Sequence, residues 1–191
     1  MTNLLLKAFS SLSLILSSSL FAGEIIKSHV EFNNGQYTAD LEIQIEAPSK
    51  RVYALFTDFD YLSQLSNNIT NSELVSDESP EYIVEIETHN CVLFFCKDIK
   101  QVQHVIELGD GHISVEDIEG QSDFVSATTL WHIRAVDDGT RVTFHADMKP
   151  GFWLPPLLGP WLFKKRLIKD TQSMIERLEE LATDDNNSPS L

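Results

Sequence analysis

Residues 37–47, YTADLEIQIEA, alternate: Ala39, Leu41, Ile43 and Ile45 fall on one side, Asp40, Glu42, Gln44 and Glu46 on the other. That period of two belongs to a strand with one face buried and the other in water. The period changes in APSKRVYALFTDFDYLSQL, where Pro48 and Ser49 suit a helix start and Val52, Leu55 and Phe56 share one helical face. A second short helix is predicted at about 60–65. Strands are then predicted at about 69–76, 81–91, 96–107, 111–118, 124–135 and 140–149, with breakers at 78–80, 109–111, 120 and 137–139 between them. Alternation recurs within these segments, as in Tyr82, Val84, Ile86; Ile113, Val115; Val125, Ala127, Thr129, Trp131, Ile133; and Val142, Phe144, Ala146, Met148. A closing helix over about 160–182 carries Leu167, Thr171, Met174, Ile175, Leu178 and Leu181 on one stripe. The order strand, two helices, six strands, long helix predicts an α+β domain in which a curved antiparallel sheet packs its concave side on the long helix.

One stretch departs from this half-wet patterning. GFWLPPLLGPWLFKK, residues 151–165, holds Phe152, Trp153, Trp161, Phe163 and four leucines. A bilayer-spanning helix needs about 20 apolar residues, so the stretch covers something locally or is itself covered. If the strands from 69 onward form an up-and-down meander, the loops at 92–95, 119–122 and 151–160 share one end of the sheet. Phe94, Phe95, Trp153 and Leu157 would then form a rim there. Such a rim reads either as a surface in transient contact with a membrane, where tryptophan prefers the interface, or as a cap on the core stiffened by Pro155 and Pro156.

Composition narrows the partners. The chain of 191 residues has a formal charge of −15, which repels phosphate backbones, so nucleic acid is excluded as a partner. The apolar fraction of 42% and charged fraction of 23% are those of a folded globular chain. Residues 1–22 read as a signal peptide: Lys7, then an apolar and serine-rich run, then small residues at Ala22 and Gly23. Its removal leaves 13 Lys and Arg against 29 Asp and Glu, a charge of −16, on a protein destined for the periplasm or the exterior. Residues 23–182 form the domain, and 183–191 a polar tail.

Cys91 and Cys96 flank a short loop in NCVLFFCK. Facing positions of an antiparallel hairpin come within reach of a disulfide, and an exported chain favours one. A metal site would need four ligands, for which His89 and His104 supply a loose set, and no metal or cofactor is expected. Two inert buried thiols remain the other alternative. No catalytic spacing occurs, and no catalytic residue is assigned. His104 shares a strand face with Val102 and Ile106 and is the histidine placed toward the core; His132 and His145 are placed outward.

APSKRVYALFTDFDYLSQLSNNITNSELV resembles the opening of START-like, or SRPBCC, helix-grip proteins, in particular the polyketide cyclase/dehydrase and lipid-transport group that includes the coenzyme Q-binding proteins. The similarity continues through SDFVSATTLWHI, GTRVTFHADMKPGFWLPPLLGP and the final helix, covering about 35–182. The resemblance implies a sheet of about seven strands gripping the last helix around an apolar cavity, lined here by Leu41, Val84, Val115, Trp131, Phe144, Met174 and Leu178. It implies a hydrophobic small molecule or lipid as ligand, with binding or transfer as the first reading. A cyclase or aromatase using a cavity base such as His104 is the second, and a non-catalytic domain holding a protein partner is the third.

Overall fold

A computed structural model describes residues 23–92, 95–154 and 159–183. The predicted signal peptide, the tail from 184 onward, Phe94 and Leu157 lie outside the described residues. The strands are β1 (Glu24–Asn33), β2 (Gln36–Ile45), β3 (Ile69–Glu78), β4 (Glu81–Val92), β5 (Phe95–Gly109), β6 (His112–Asp117), β7 (Phe124–Val136) and β8 (Gly139–Pro150), with helices α1 (Ser49–Phe56) and α2 (Pro160–Thr183) and a 3₁₀ helix at Phe59–Gln64. All eight strands join one antiparallel sheet in the order β1-β2-β8-β7-β6-β5-β4-β3. The sheet thus has two free edges, β1 and β3, and its concave side grips α2.

The sheet has one strand more than the alternation pattern predicts. β1 pairs with β2 through a turn at Asn34 and Gly35, both with positive φ (50° and 85°), the geometry of a tight hairpin. The same left-handed requirement at Gly111 (φ 78°) is compounded by space: a Cβ there would lie 1.9 Å from the carbonyl oxygen of Ile133.

Alternation sets the two faces. Register pairs Leu41 with Phe144, Ile43 with Val142 and Trp131 with Phe144 on the concave side, while Asp40 meets His145 and Glu42 meets Thr143 on the convex side. Under the concave face lies a core of Ile43, Ile45, Val52, Val84, Val142, Ile175 and Leu178, each no more than 2% exposed. Burying a side chain of that size contributes about 1.5–3 kcal/mol.

Hydrogen bonds fix α2 to both edges of the sheet. Lys164 donates from Nζ to the carbonyl of Ser28 on β1 at 2.9 Å. Arg166 donates to Asn68 Oδ1 just before β3 at 2.6 Å and to the carbonyl of Cys91 on β4 at 2.9 Å. Positions i and i+2 of a helix point about 200° apart, so neighbours in sequence reach opposite sides. Farther along, Glu179 Oε1 accepts from the amides of Gly23 and Glu46, both at 2.8 Å.

Candidate ligand cavity

Between the sheet and α2 the side chains leave three adjoining chambers. The inner one, about 270 Å³, is walled by Phe59, Val84, Val105, Val115, Trp131 and Met174 together with Thr88, Gln101 and Gln103. A side chamber of about 160 Å³ shares Trp131 and Met174 with it and adds Leu41, Phe144 and Leu167. The outer chamber, about 280 Å³, shares Thr88 and Gln101 with the inner one and is walled by Phe95, Ile99, Phe124, Met148, Phe152 and Phe163. Such mostly apolar concavities with a few placed polar groups are the usual form of a small-molecule site.

The residues expected to line a cavity are thereby distributed. Val84, Val115, Trp131 and Met174 wall the inner chamber, and Leu41 and Phe144 join Trp131 and Met174 around the side chamber. Leu178 is fully buried in the core and lies off the walls of all three. Trp131 is held between Phe56 and Phe144, with ring centroids 5.1 and 4.5 Å away. That aromatic stack separates the two inner volumes.

Two of the polar groups in these walls, Gln101 and Gln103, come from the middle of β5, and sequence reasoning did not single them out. Gln101 Nε2 donates to both carboxylate oxygens of Asp117 at 3.1 Å, and Gln103 Nε2 donates to Oδ1 at 3.2 Å. Burial pushes the Asp117 carboxyl up from its ordinary value, opposed by bonds from Gln101, Gln103 and Ser122. Because the carboxylate takes the amide hydrogens, the two glutamines retain their carbonyl oxygens as acceptors. The outer chamber adds Lys97 and Arg166 and no carboxylate.

Among the described residues, ends of the three segments predicted to meet at one end of the sheet lie close together. Gly151 donates its amide to the carbonyl of Asp123 at 2.9 Å, the rings of Phe124 and Phe152 are 5.7 Å apart, and those of Phe95 and Trp153 are 6.2 Å apart. The outer chamber lies at this end, walled by Phe95, Phe124 and Phe152. Trp153 is 70% exposed there, as is Trp161 at 73% on the first turn of α2. Cys91 and Cys96 form a disulfide at the tip of the β4–β5 hairpin. His89 Nε2 lies 3.2 Å from Cys91 Sγ, and both sulfurs are engaged in the disulfide.

His104 is not in the core. It shares its strand face with Val102 and Ile106 as the periodicity says, but that face is the convex one, and its Nε2 meets Glu81 at 2.9 Å. Val102 is buried although it lies on the convex side, and the 118–123 segment runs beside it, Ile118 and Ser122 bonding its backbone. All six histidines in fact face outward or sit at the hairpin tip: His29, His89, His104, His112, His132 and His145 occupy convex register positions. None walls the three chambers.

A model of the family described as polyketide cyclase / dehydrase and lipid transport matches residues 36–183. The chain belongs to that family. No curated protein matches the sequence. Among solved structures, the fold is similar to a STAR-related lipid transfer protein from Xanthomonas axonopodis (18% identity, TM-score 0.59, covering 83% of this chain and 97% of that one). It is also similar to the Zhui aromatase/cyclase from Streptomyces sp. R1128 (10%, TM-score 0.60, 84% and 98%) and to a START superfamily protein from Mycobacterium smegmatis (14%, TM-score 0.60, 76% and 98%). At these identities the likeness is one of fold. The family contains both lipid carriers and cyclases, and its helix-grip α+β architecture is the one seen here.

Proposed function

We propose that this protein binds a lipid-like, largely apolar molecule in the chambers between sheet and α2 and carries it between membranes in the periplasm or outside the cell. The observation that carries the reading is the run of adjoining apolar chambers ending at a mouth edged by exposed tryptophan. Burial of hydrocarbon in such walls is worth about 25 cal/mol per Å², so affinity needs few polar contacts. The absence of any histidine from the chamber walls among the described residues favours binding over proton-transfer catalysis. In this reading residues 1–22 are removed on export, and 23–182 act as the carrier domain.

The rim marked by Phe95 and Trp153 touches the bilayer while the ligand is exchanged, tryptophan being at home in the interface. Native mass spectrometry of gently purified protein tests the binding half: a co-purified lipid is the expected result, and a chain that stays empty and takes up no added lipid sinks it. Transfer between vesicles tests the rim. The double variant Phe95→Ser, Trp153→Ser should move lipid more slowly than the parent while remaining folded; equal rates would leave the rim as a core cap only.

A further inference from the structure

The mouth of the cavity is charged unlike the rest of the chain. The protein has 29 Asp and Glu against 14 Lys and Arg, yet no carboxylate residue occurs between Asp147 and Asp170, a span containing Lys149, Lys164, Lys165, Arg166 and Lys169. Two cations face the outer chamber itself. Arg166 is already matched, its guanidinium bonding Asp170 at 2.6 Å as well as Asn68 and the Cys91 carbonyl. Lys97 is not. Among the described residues it forms no ion pair; the residue is half-buried in a wall of aromatic and aliphatic groups, and its Nζ sits 5.4 Å from the centre of the Phe152 ring.

The other carboxylates near this end have partners. Asp170 is held by Arg166, Asp123 accepts the amide of Lys100 at 2.9 Å, and Asp98 faces the convex side against His89. An ammonium held over an aromatic ring finds there a weaker partner than an anion. A ligand anion would supply the missing partner, in a place where low-dielectric walls strengthen the attraction. Beyond Lys97 the wall into the inner chamber is neutral, with Gln101, then Gln103, Trp131 and Met174, while Asp170, held by Arg166, lines the side chamber.

We propose that the ligand is an amphiphile with a single anionic head, a carboxylate or phosphate, bound at the mouth by Lys97 with its hydrocarbon directed inward past Gln101 toward Trp131 and Met174. The proposal rests on the apolar-ligand reading above and adds the head charge and the orientation. Head-out binding also fits a mouth from which a lipid must leave tail last into water and head first into an interface.

The test is displacement of a neutral solvatochromic dye from the purified protein at pH 8 by laurate, dodecyl phosphate and 1-dodecanol, which share one chain and differ in the head. Laurate and dodecyl phosphate should displace the dye at about tenfold lower concentration than dodecanol, the factor that 1.4 kcal/mol represents. In Lys97→Gln the three probes should converge, while Lys169→Gln, which removes a charge from the same acid-free span but lines no chamber, should keep the parent's preference. If the parent binds laurate and dodecanol equally, the cavity reading survives and the anionic-head proposal fails. The proposal fails also if Lys97→Gln keeps the preference, or if Lys169→Gln loses it equally, since the effect would then be one of general surface charge. If the dye and all three probes fail to bind, the apolar-ligand reading falls and takes this proposal with it.

Discussion

The guanidinium of Arg166 donates to the main-chain carbonyl of Cys91 at 2.9 Å, which ties the first half of α2 to the disulfide-bearing hairpin at the cavity mouth. The same side chain holds Asp170 and Asn68 and is 28% exposed. Replacing it with alanine leaves these acceptors to water or to no partner. Arg166→Ala is expected to lose about 1–3 kcal/mol of stability, the range for bonds involving a charged group. Urea unfolding of parent and variant measures it; unchanged midpoints would mean that the bonds are exchanged for water at no cost.

The disulfide closes a very short loop. Chain entropy assigns such a crosslink about 2 kcal/mol. Cys91→Ser, Cys96→Ser should lower stability by that amount, and thiol labelling of the unfolded, non-reduced protein taken from cells should find no free thiol. Two free thiols per chain would mean that the bond does not form in the cell.

Met174 and Leu178 lie one helical turn apart and separate cavity from core. Met174 borders both the inner and side chambers, whereas Leu178 is wholly buried outside them. Met174→Trp should fill the space and abolish uptake of a lipid probe with little change in folding, while Leu178→Ala should cost about 2–5 kcal/mol in stability. Should Met174→Trp unfold the protein by 1–3 kcal/mol as an overpacked core does, and bind the probe as before, the chambers are not the ligand site.

Two histidines on the convex face should titrate on opposite sides of the ordinary value. His145 is raised, chiefly by its 2.8 Å bond to Asp40. His132 is lowered, first by burial and then by His112, whose ring stacks on it at 3.8 Å. A histidine whose folded pKa is raised contributes stability fully below its unfolded value of about 6.5, and that contribution is lost as pH rises through the folded value. Asp40→Asn should therefore shift His145 downward and flatten the pH dependence of stability in that window. Proton NMR titration of the imidazole signals checks it; finding His145 to titrate below His132 would reverse the assignment.

Period-two alternation was enough to read seven of the strands, because each has one face on the core and one in water. β1 escaped it: the run EIIKSHVEFN is an edge strand, exposed over most of its length, and its register slips between Ile25 and Lys27, which breaks the alternation. The Asn34-Gly35 turn was the signal that could have revealed it. His104 shows the matching weakness. Periodicity groups His104, Val102 and Ile106 on one face, but Val102 is buried on the convex side, so a buried valine did not mark the inward side. The cysteine pair was legible because its geometry is local. The Gln101, Gln103 and Asp117 cluster was not, since it joins side chains from different strands, and nothing in the spacing of these polar residues announces that they meet.

In the proposed carrier role, the two ties on α2 bear on what the protein can measure. Lys164 and Arg166, two residues apart, pull on opposite rims of an open sheet, and together they form a strut across its gap. A molecule too broad to fit beneath would have to stretch both ties at once, while a longer one could extend toward the mouth without touching either. Selection by this fold would then act on the girth of its cargo and leave its length comparatively free.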